Sequence, residues 1–233
     1  MFSKLLIANR GEIAVRIIRA CKEMGISTVA VFSTADRDAL HVSMADESYC
    51  IGGPTVGESY LNLSAILSAA IVSGAQAIHP GYGLLSENPR FAQLCAQCGI
   101  AFIGPSAEVM RRMGDKDEAR RTMIAAGVPV IPGCDVVETL EKARAEAEKL
   151  GFPLLIKARS GGGGRGIRLV NSMGEFDNAW QTASSEAASA FGDGAVYLER
   201  FLSPVKHIEM QLIADQQGNV VCLGERECPM QRK

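Results

Sequence analysis

The run Lys157-Ala158-Arg159-Ser160-Gly161-Gly162-Gly163-Gly164-Arg165-Gly166 carries the plainest chemistry in the sequence: a lysine closes an apolar stretch, and five of the last six residues are glycines. Without Cβ atoms such a backbone bends freely and brings its N–H groups against a phosphate chain, while Lys157 supplies a point charge. Arg165 and Arg168 add positive charge, which favours an anion grip over a solvated hairpin tip. No Gly-Lys-Ser/Thr opens a helix here, so this is not the Walker loop. The first βα turn, Ala8-Asn9-Arg10-Gly11-Glu12, has one glycine where a dinucleotide fingerprint needs three, which disfavours NAD. Cys95 and Cys98 form a C-x-x-C, but they follow Phe91 and Leu94 at the spacing of a buried helical stripe. A second ligand pair for zinc is absent, so core packing is expected of both.

The elements that must hold these groups follow from periodicity. Short apolar runs alternate with amphipathic patterns through the first half, which predicts βαβ units feeding a parallel sheet. Strands are expected at 4–8, 27–32, 75–78 and 100–103, with a helix whose face is Ile13, Ile17, Ala20, Cys21 and Met24, stopped by Gly25. A second helix spans 63–72, and a third starts at Asn88 with Pro89 in its first position. From Gly104-Pro105 the pattern changes, placing a boundary near residue 114. Asp115 and Glu118 make a capping box for a helix ending at Gly127, and Thr139 to Leu150 is another helix. Strands 154–158 and 167–170 flank the glycine loop, and Ser172 with Glu175 opens a further helix. A hairpin closes the chain, strands 206–214 and 220–226 around a turn, with His207, Glu209 and Gln211 on one strand face.

Composition sets the limits. The 233 residues suffice for one large or two modest α/β domains, and 47% hydrophobic with 21% charged residues is ordinary for a globular chain. A net charge of -2 gives no field for recruiting nucleic acid. No stretch resembles a signal peptide or reaches membrane-spanning length. Seven cysteines at scattered spacing argue against a disulfide framework and for a reducing compartment, the cytoplasm.

Several runs occur together in one order: Ile7-Ala8-Asn9-Arg10-Gly11-Glu12-Ile13-Ala14, His79-Pro80-Gly81-Tyr82-Gly83, Ser86-Glu87-Asn88, Met113-Gly114-Asp115-Lys116, and then the glycine loop. In these the whole chain resembles the biotin carboxylases, ATP-grasp ligases that carboxylate biotin with bicarbonate. The resemblance implies an α/β fold: a Rossmann-like parallel-sheet domain over 1–113, a linking helix over 114–130, an ATP-grasp lid over 131–202 and the start of the ATP-grasp body over 203–233. It implies that Lys116 and Lys157 hold ATP phosphates and that Gly163 and Gly164 give backbone contacts from the lid. Glu199, Arg200, Phe201 and Leu202 would form the connector that recognises adenine, with His207 and Gln231 on the adenosine side. Lys116 in the first turn of a capped helix opposes the helix dipole by up to about 1 kcal/mol, which favours a functional reason for it. Arg19 and Glu23 match positions of a bacterial homodimer contact, though their i, i+4 spacing equally suits a surface ion pair.

For the complete enzyme the resemblance implies attack of bicarbonate on the γ-phosphate of ATP with Mg2+, giving carboxyphosphate. Its carbon dioxide is captured by biotin on a carboxyl carrier protein or domain, for carboxyltransferase subunits to use in acetyl-CoA carboxylase (fatty acid synthesis) or a related carboxylase. Two rivals are a carbamoyl-phosphate-synthetase-like ligase, disfavoured by the Asn9 to Glu12 and His79 to Gly83 runs, and a non-catalytic nucleotide-binding fragment. Arg159 stands where the family commonly has a small residue. The chain stops at Lys233, where the family continues toward its magnesium carboxylates and its bicarbonate and biotin arginines. A truncated chain with no turnover of its own is therefore expected, its catalytic residues lying beyond Lys233.

Overall fold

The computed structural model describes residues 2–114, 116–159, 166–215 and 217–228, without the side chains of residues 116, 117 and 191. It is an α/β structure that divides into two compact units between Arg121 and Thr122. That point lies inside a helix, α6 (Lys116–Ala125). On the first unit's side, α5 (Ala107–Gly114) is tied to α6 by the Arg112–Glu118 ion pair.

The first unit is built on β1 (Lys4–Ile7), β2 (Ser27–Ser33), β3 (Glu47–Gly52), β4 (Ala77–His79) and β5 (Ala101–Phe102), all parallel in the order β3-β2-β1-β4-β5. Helices α1 (Gly11–Glu23), α2 (Leu40–Met44), α3 (Leu63–Ser73) and α4 (Pro89–Gln97) connect the strands. A parallel sheet of this kind buries both faces. Leu6, Val29, Val31 and Ile78 pack with Ile66 and Ala70 of α3 and with Phe91 and Cys95 of α4. Leu5, Ile7 and Ala77 pack with Ala14, Ile18 and Cys21 of α1. The expected caps form: Asn88 accepts from Phe91 N–H with Pro89 next to it, and Gly25 closes α1 in the left-handed region, while at α3 the structure adds Asn62, which accepts from Ala65 N–H, and left-handed Gly74. Cys95 is fully buried, whereas Cys98 is exposed past the end of α4, so only the first cysteine of the C-x-x-C is core.

The second unit holds α7 (Leu140–Leu150), β6 (Leu154–Ala158), β7 (Ile167–Val170), α8 (Met173–Phe191), β8 (Val196–Arg200), β9 (Ile208–Ala214) and β10 (Val220–Glu227). Strands β7-β6-β8 form an antiparallel sheet. Its closed face, with Leu154, Ile156, Ala158, Val170, Val196 and Leu198, packs on Ala143 and Ala147 of α7 and on Phe176, Trp180, Ala183 and Ala187 of α8. Along the other edge of β8, Cys134 N–H donates to Leu198 O and Val137 N–H to Val196 O. At α8 the capping box does not form as expected. Ser172 makes no side-chain cap, and the Glu175 carboxylate accepts from Asn171 N–H instead. Strands β9 and β10 are an antiparallel ribbon whose turn is held by Asp215 Oδ1, which accepts from Gln217 and Asn219 N–H.

Candidate functional site

Strand alternation decides what the β7-β6-β8 sheet presents on its open face. With one set of side chains committed to the helices, Leu155 and Lys157 of β6, Ile167 and Leu169 of β7, and Tyr197 and Glu199 of β8 share the opposite face. Ile167 and Leu169 are nearly half exposed. Lys157 lies opposite Tyr197, and its ammonium reaches diagonally to the Glu199 carboxylate in an ion pair, with side chains 23% and 17% exposed. The face therefore joins an apolar platform to a fixed charge pair at the point where the chain enters the glycine loop. Such a surface suits a ligand with a flat apolar ring, a polar edge and an anionic tail.

Register fixes the rest of this region. Glu199 and Arg200 belong to β8 itself, while Phe201 and Leu202 follow it, with Arg200 N–H donating to Pro132 O and Phe201 N–H to Pro153 O. Gly133 crosses so close to β8 that a Cβ there would stand 2.6 Å from Leu198 O. Arg168 does not support the phosphate grip: it lies on the sheet face opposite Lys157 and pairs with Glu186 of α8 at 2.5 Å. Arg159 pairs with Asp193 at 2.9 Å, and the same carboxylate accepts from Ala195 N–H. His207 precedes β9, its Nε2 3.6 Å from Glu209 Oε1. Gly163, Gly164, Arg165, Gln231 and the side chain of Lys116 fall outside the described residues.

The first unit has a second concentration of polar groups, at the carboxyl ends of β1 and β4. These strands flank the point where the strand order reverses, the place open α/β sheets use for ligands. Asn9 is buried, and its amide donates to Pro80 O (2.7 Å) and Tyr82 O (2.9 Å) while its oxygen accepts from Arg10 N–H (2.8 Å). Gly81 N–H donates to His79 Nδ1 at 3.0 Å, and the Tyr82 hydroxyl donates to the Glu12 carboxylate. The runs Asn9 to Glu12 and His79 to Gly83, distant in sequence, are thus one interlocked corner. Beside it Arg10 donates from Nε to Asp36 Oδ2 at 2.7 Å, and Asp36 also accepts from the hydroxyls of Tyr60 and Ser33. Arg10's hydrogen bonds hold the Asp36 carboxyl well below the usual range against the opposing effect of burial. Arg19 and Glu23 stand exposed on α1, and among the described residues no ion pair joins them.

Leu155, Ile167, Leu169 and Tyr197 escaped the reading of the sequence. Their signal was available in the alternation of β6 and β7, but which face stays open depends on where α7 and α8 pack.

Comparison with known proteins gives this geometry its family. Residues 1–110 match the family model described as biotin carboxylase, N-terminal domain, and residues 115–233 match carbamoyl-phosphate synthase L chain, ATP binding domain. The biotin carboxylase of Nostoc sp. is 55% identical across 100% of this chain, which covers 52% of that protein. The crystal structure of a biotin carboxylase–β,γ-ATP complex from Campylobacter jejuni superposes with TM-score 0.90 at 50% identity, covering 100% of this chain and 52% of that one. The biotin carboxylase domain dimer of Hydrogenobacter thermophilus 2-oxoglutarate carboxylase, in complex with MgADP, ADP and bicarbonate, superposes with TM-score 0.87 at 49% identity, covering 100% and 51%. The chain spans about half the length of the curated relatives it matches. With one domain model in each part of the chain and this likeness along its whole length, the chain belongs to the biotin carboxylase family and has its ATP-grasp fold.

Proposed function

We propose that the whole protein is an ATP-dependent ligase that carboxylates biotin with bicarbonate through carboxyphosphate, and that these residues supply its nucleotide grip. The observation that carries the reading is the Lys157–Glu199 pair on the open apolar face of the β7-β6-β8 sheet, at the root of the glycine loop. Lys157 and Lys116 bind phosphate oxygens, and Gly163 and Gly164 contribute backbone N–H groups. Adenine lies on Leu155 and Ile167, with its polar edge read by Glu199 and the backbone through Arg200, Phe201 and Leu202. His207 and Gln231 stand on the adenosine side. Phosphoryl transfer asks for positioning and charge neutralisation rather than covalent help, which lysines and backbone amides provide.

Among the described residues one group of three ligating side chains lies close together, His207, Glu209 and Cys228, and it mixes nitrogen, oxygen and sulfur, whereas Mg2+ takes oxygen ligands. The magnesium, bicarbonate and biotin of the reaction belong to the proposal on the strength of the relatives, as do a biotin carboxyl carrier, carboxyltransferase subunits and a role in acetyl-CoA or related carboxylation. A homodimer contact at Arg19 and Glu23 is supported by their exposure on α1. A cytoplasmic location agrees with the free cysteines and with the absence, among the described residues, of a helix long and apolar enough to cross a membrane. The domain limits proposed are 1–113, 114–130, 131–202 and 203–233.

Calorimetric titration of the chain with ATP tests the grip. Lys157→Gln is expected to abolish binding at millimolar nucleotide, and unchanged affinity in that variant would remove Lys157 from the site. The whole protein is expected to cleave ATP only with bicarbonate present, and faster with free biotin.

A further inference from the structure

Strands β9 and β10 run antiparallel with Arg226 opposite Glu209 and Glu227 opposite Ile208, and Cys228 N–H donates to His207 O at 3.0 Å. His207 and Cys228 therefore face each other across the open end of the ribbon, with Glu209 and Arg226 one pleat further in on the same side. The Glu209 carboxylate divides its oxygens: Oε2 pairs with Arg226, and Oε1 points to His207 Nε2 at 3.6 Å. One ligand atom from each of His207, Glu209 and Cys228 lies within 4.8 Å of the other two.

The geometry points to a binding site for a thiophilic divalent cation, Zn2+ by class, held by His207 Nε2, Glu209 Oε1 and Cys228 Sγ. With metal–ligand distances of about 2.0–2.3 Å, the ligands of a tetrahedral zinc ion stand about 3.3–3.6 Å apart. The His207–Glu209 separation already meets that span, and closing 4.8 Å to it asks for about 1.3 Å of side-chain movement. The His207 side chain is exposed and those of Glu209 and Cys228 are half-buried, so side-chain rotation supplies that movement without shifting either strand. Imidazole and thiolate select Zn2+ over Mg2+ and Ca2+, which prefer oxygen. On binding, the thiol gives up its proton to solvent and a zinc–sulfur bond forms. Three protein ligands leave the fourth position to water. The bound ion fastens the entry of β9 to the exit of β10, at the end of the ribbon away from its Asp215 turn. The site is argued without the nucleotide proposal but shares His207 with it, so zinc and ATP compete for that side chain.

Titration of the reduced chain with Co2+, in the absence of nucleotide, is the test. The expected spectrum has a thiolate-to-cobalt charge-transfer band and strong visible bands of a four-coordinate ion, bleached by added Zn2+. Cys228→Ser should weaken binding by more than about 100-fold, the upper end of what losing an outer hydrogen-bonding partner of a metal ligand costs. Cys222→Ser, on the same strand, should leave binding unchanged. No charge-transfer band, or a band that persists in Cys228→Ser, overturns the assignment. X-ray absorption of the zinc-loaded wild-type chain needs no variant, and a zinc shell without sulfur overturns it equally.

Discussion

Gly81→Ala is expected to destabilise the first unit by an amount that depends on Asn9. Gly81 has φ +66°, and a Cβ built there would lie 2.7 Å from Asn9 Nδ2 and 3.2 Å from Asn9 Cβ. The left-handed backbone alone costs a non-glycine residue roughly 1–2 kcal/mol. Displacing the Asn9 amide from Pro80 O and Tyr82 O adds about 2 kcal/mol, at about 1 kcal/mol for each net hydrogen bond. The single variant should therefore lose about 3–4 kcal/mol. Asn9→Ala, which removes three hydrogen bonds from a buried side chain, should lose about 3 kcal/mol. In the Asn9→Ala background the amide is gone and only the 3.2 Å Cβ contact remains, a matter of a few tenths of an ångström. There Gly81→Ala should cost only the backbone part, so the double-mutant cycle carries a coupling of about 2 kcal/mol. Urea denaturation followed by far-ultraviolet circular dichroism measures all four species, with the slope on denaturant checked for constancy. Additivity within about 0.5 kcal/mol would refute the idea that the two distant runs are one interlocked corner.

Three further outcomes follow from the packing. Asp36 has its carboxyl held below the ordinary range, so its contribution to stability is complete above the unfolded-state value near 3.8 and is lost as pH falls through the lower folded value. Asp36→Asn should flatten the acid limb of the stability–pH curve, and an unchanged limb would discount the Arg10–Asp36 link. Burial pushes the Cys95 thiol up to about 12. Native-state alkylation should therefore spare Cys95 and buried Cys21 while modifying exposed Cys50, Cys98 and Cys222, as read by peptide mass spectrometry. Phe176→Ala opens the closed face of the β7-β6-β8 sheet beside Trp180, whose ring it stacks on at 6.3 Å. A loss of about 3–5 kcal/mol is expected, with a red-shifted emission from the single tryptophan.

Much of the architecture could be read from local chemistry. Asn88 with Pro89, and Gly25, set helix ends that the structure reproduces, because a cap needs only its neighbours. The elements that escaped notice are those fixed by distant partners. The β3 strand, Glu-Ser-Tyr-Cys-Ile-Gly, is too mixed to announce itself and is a strand because β2 lies beside it. Arg168 adds positive charge beside the loop in sequence, which favours an anion grip, yet a period of two turns it away from Lys157 and toward Glu186. Lys157 was legible as a strand-end charge, whereas its pairing with Glu199 needed the β6–β8 register. The same holds for Asn9 and Gly81, whose meaning appears only once β1 and β4 are neighbours.

The two-sidedness of the β7-β6-β8 sheet has a consequence for how such a protein can diverge. Residues on its helix-packed face are constrained by volume, while Leu155, Ile167, Leu169 and Tyr197 lie on the other face, outside that buried cluster. Substitutions at these four positions can reshape what the surface accepts while leaving folding nearly untouched, so selection can tune ligand preference here without first raising the stability of the chain.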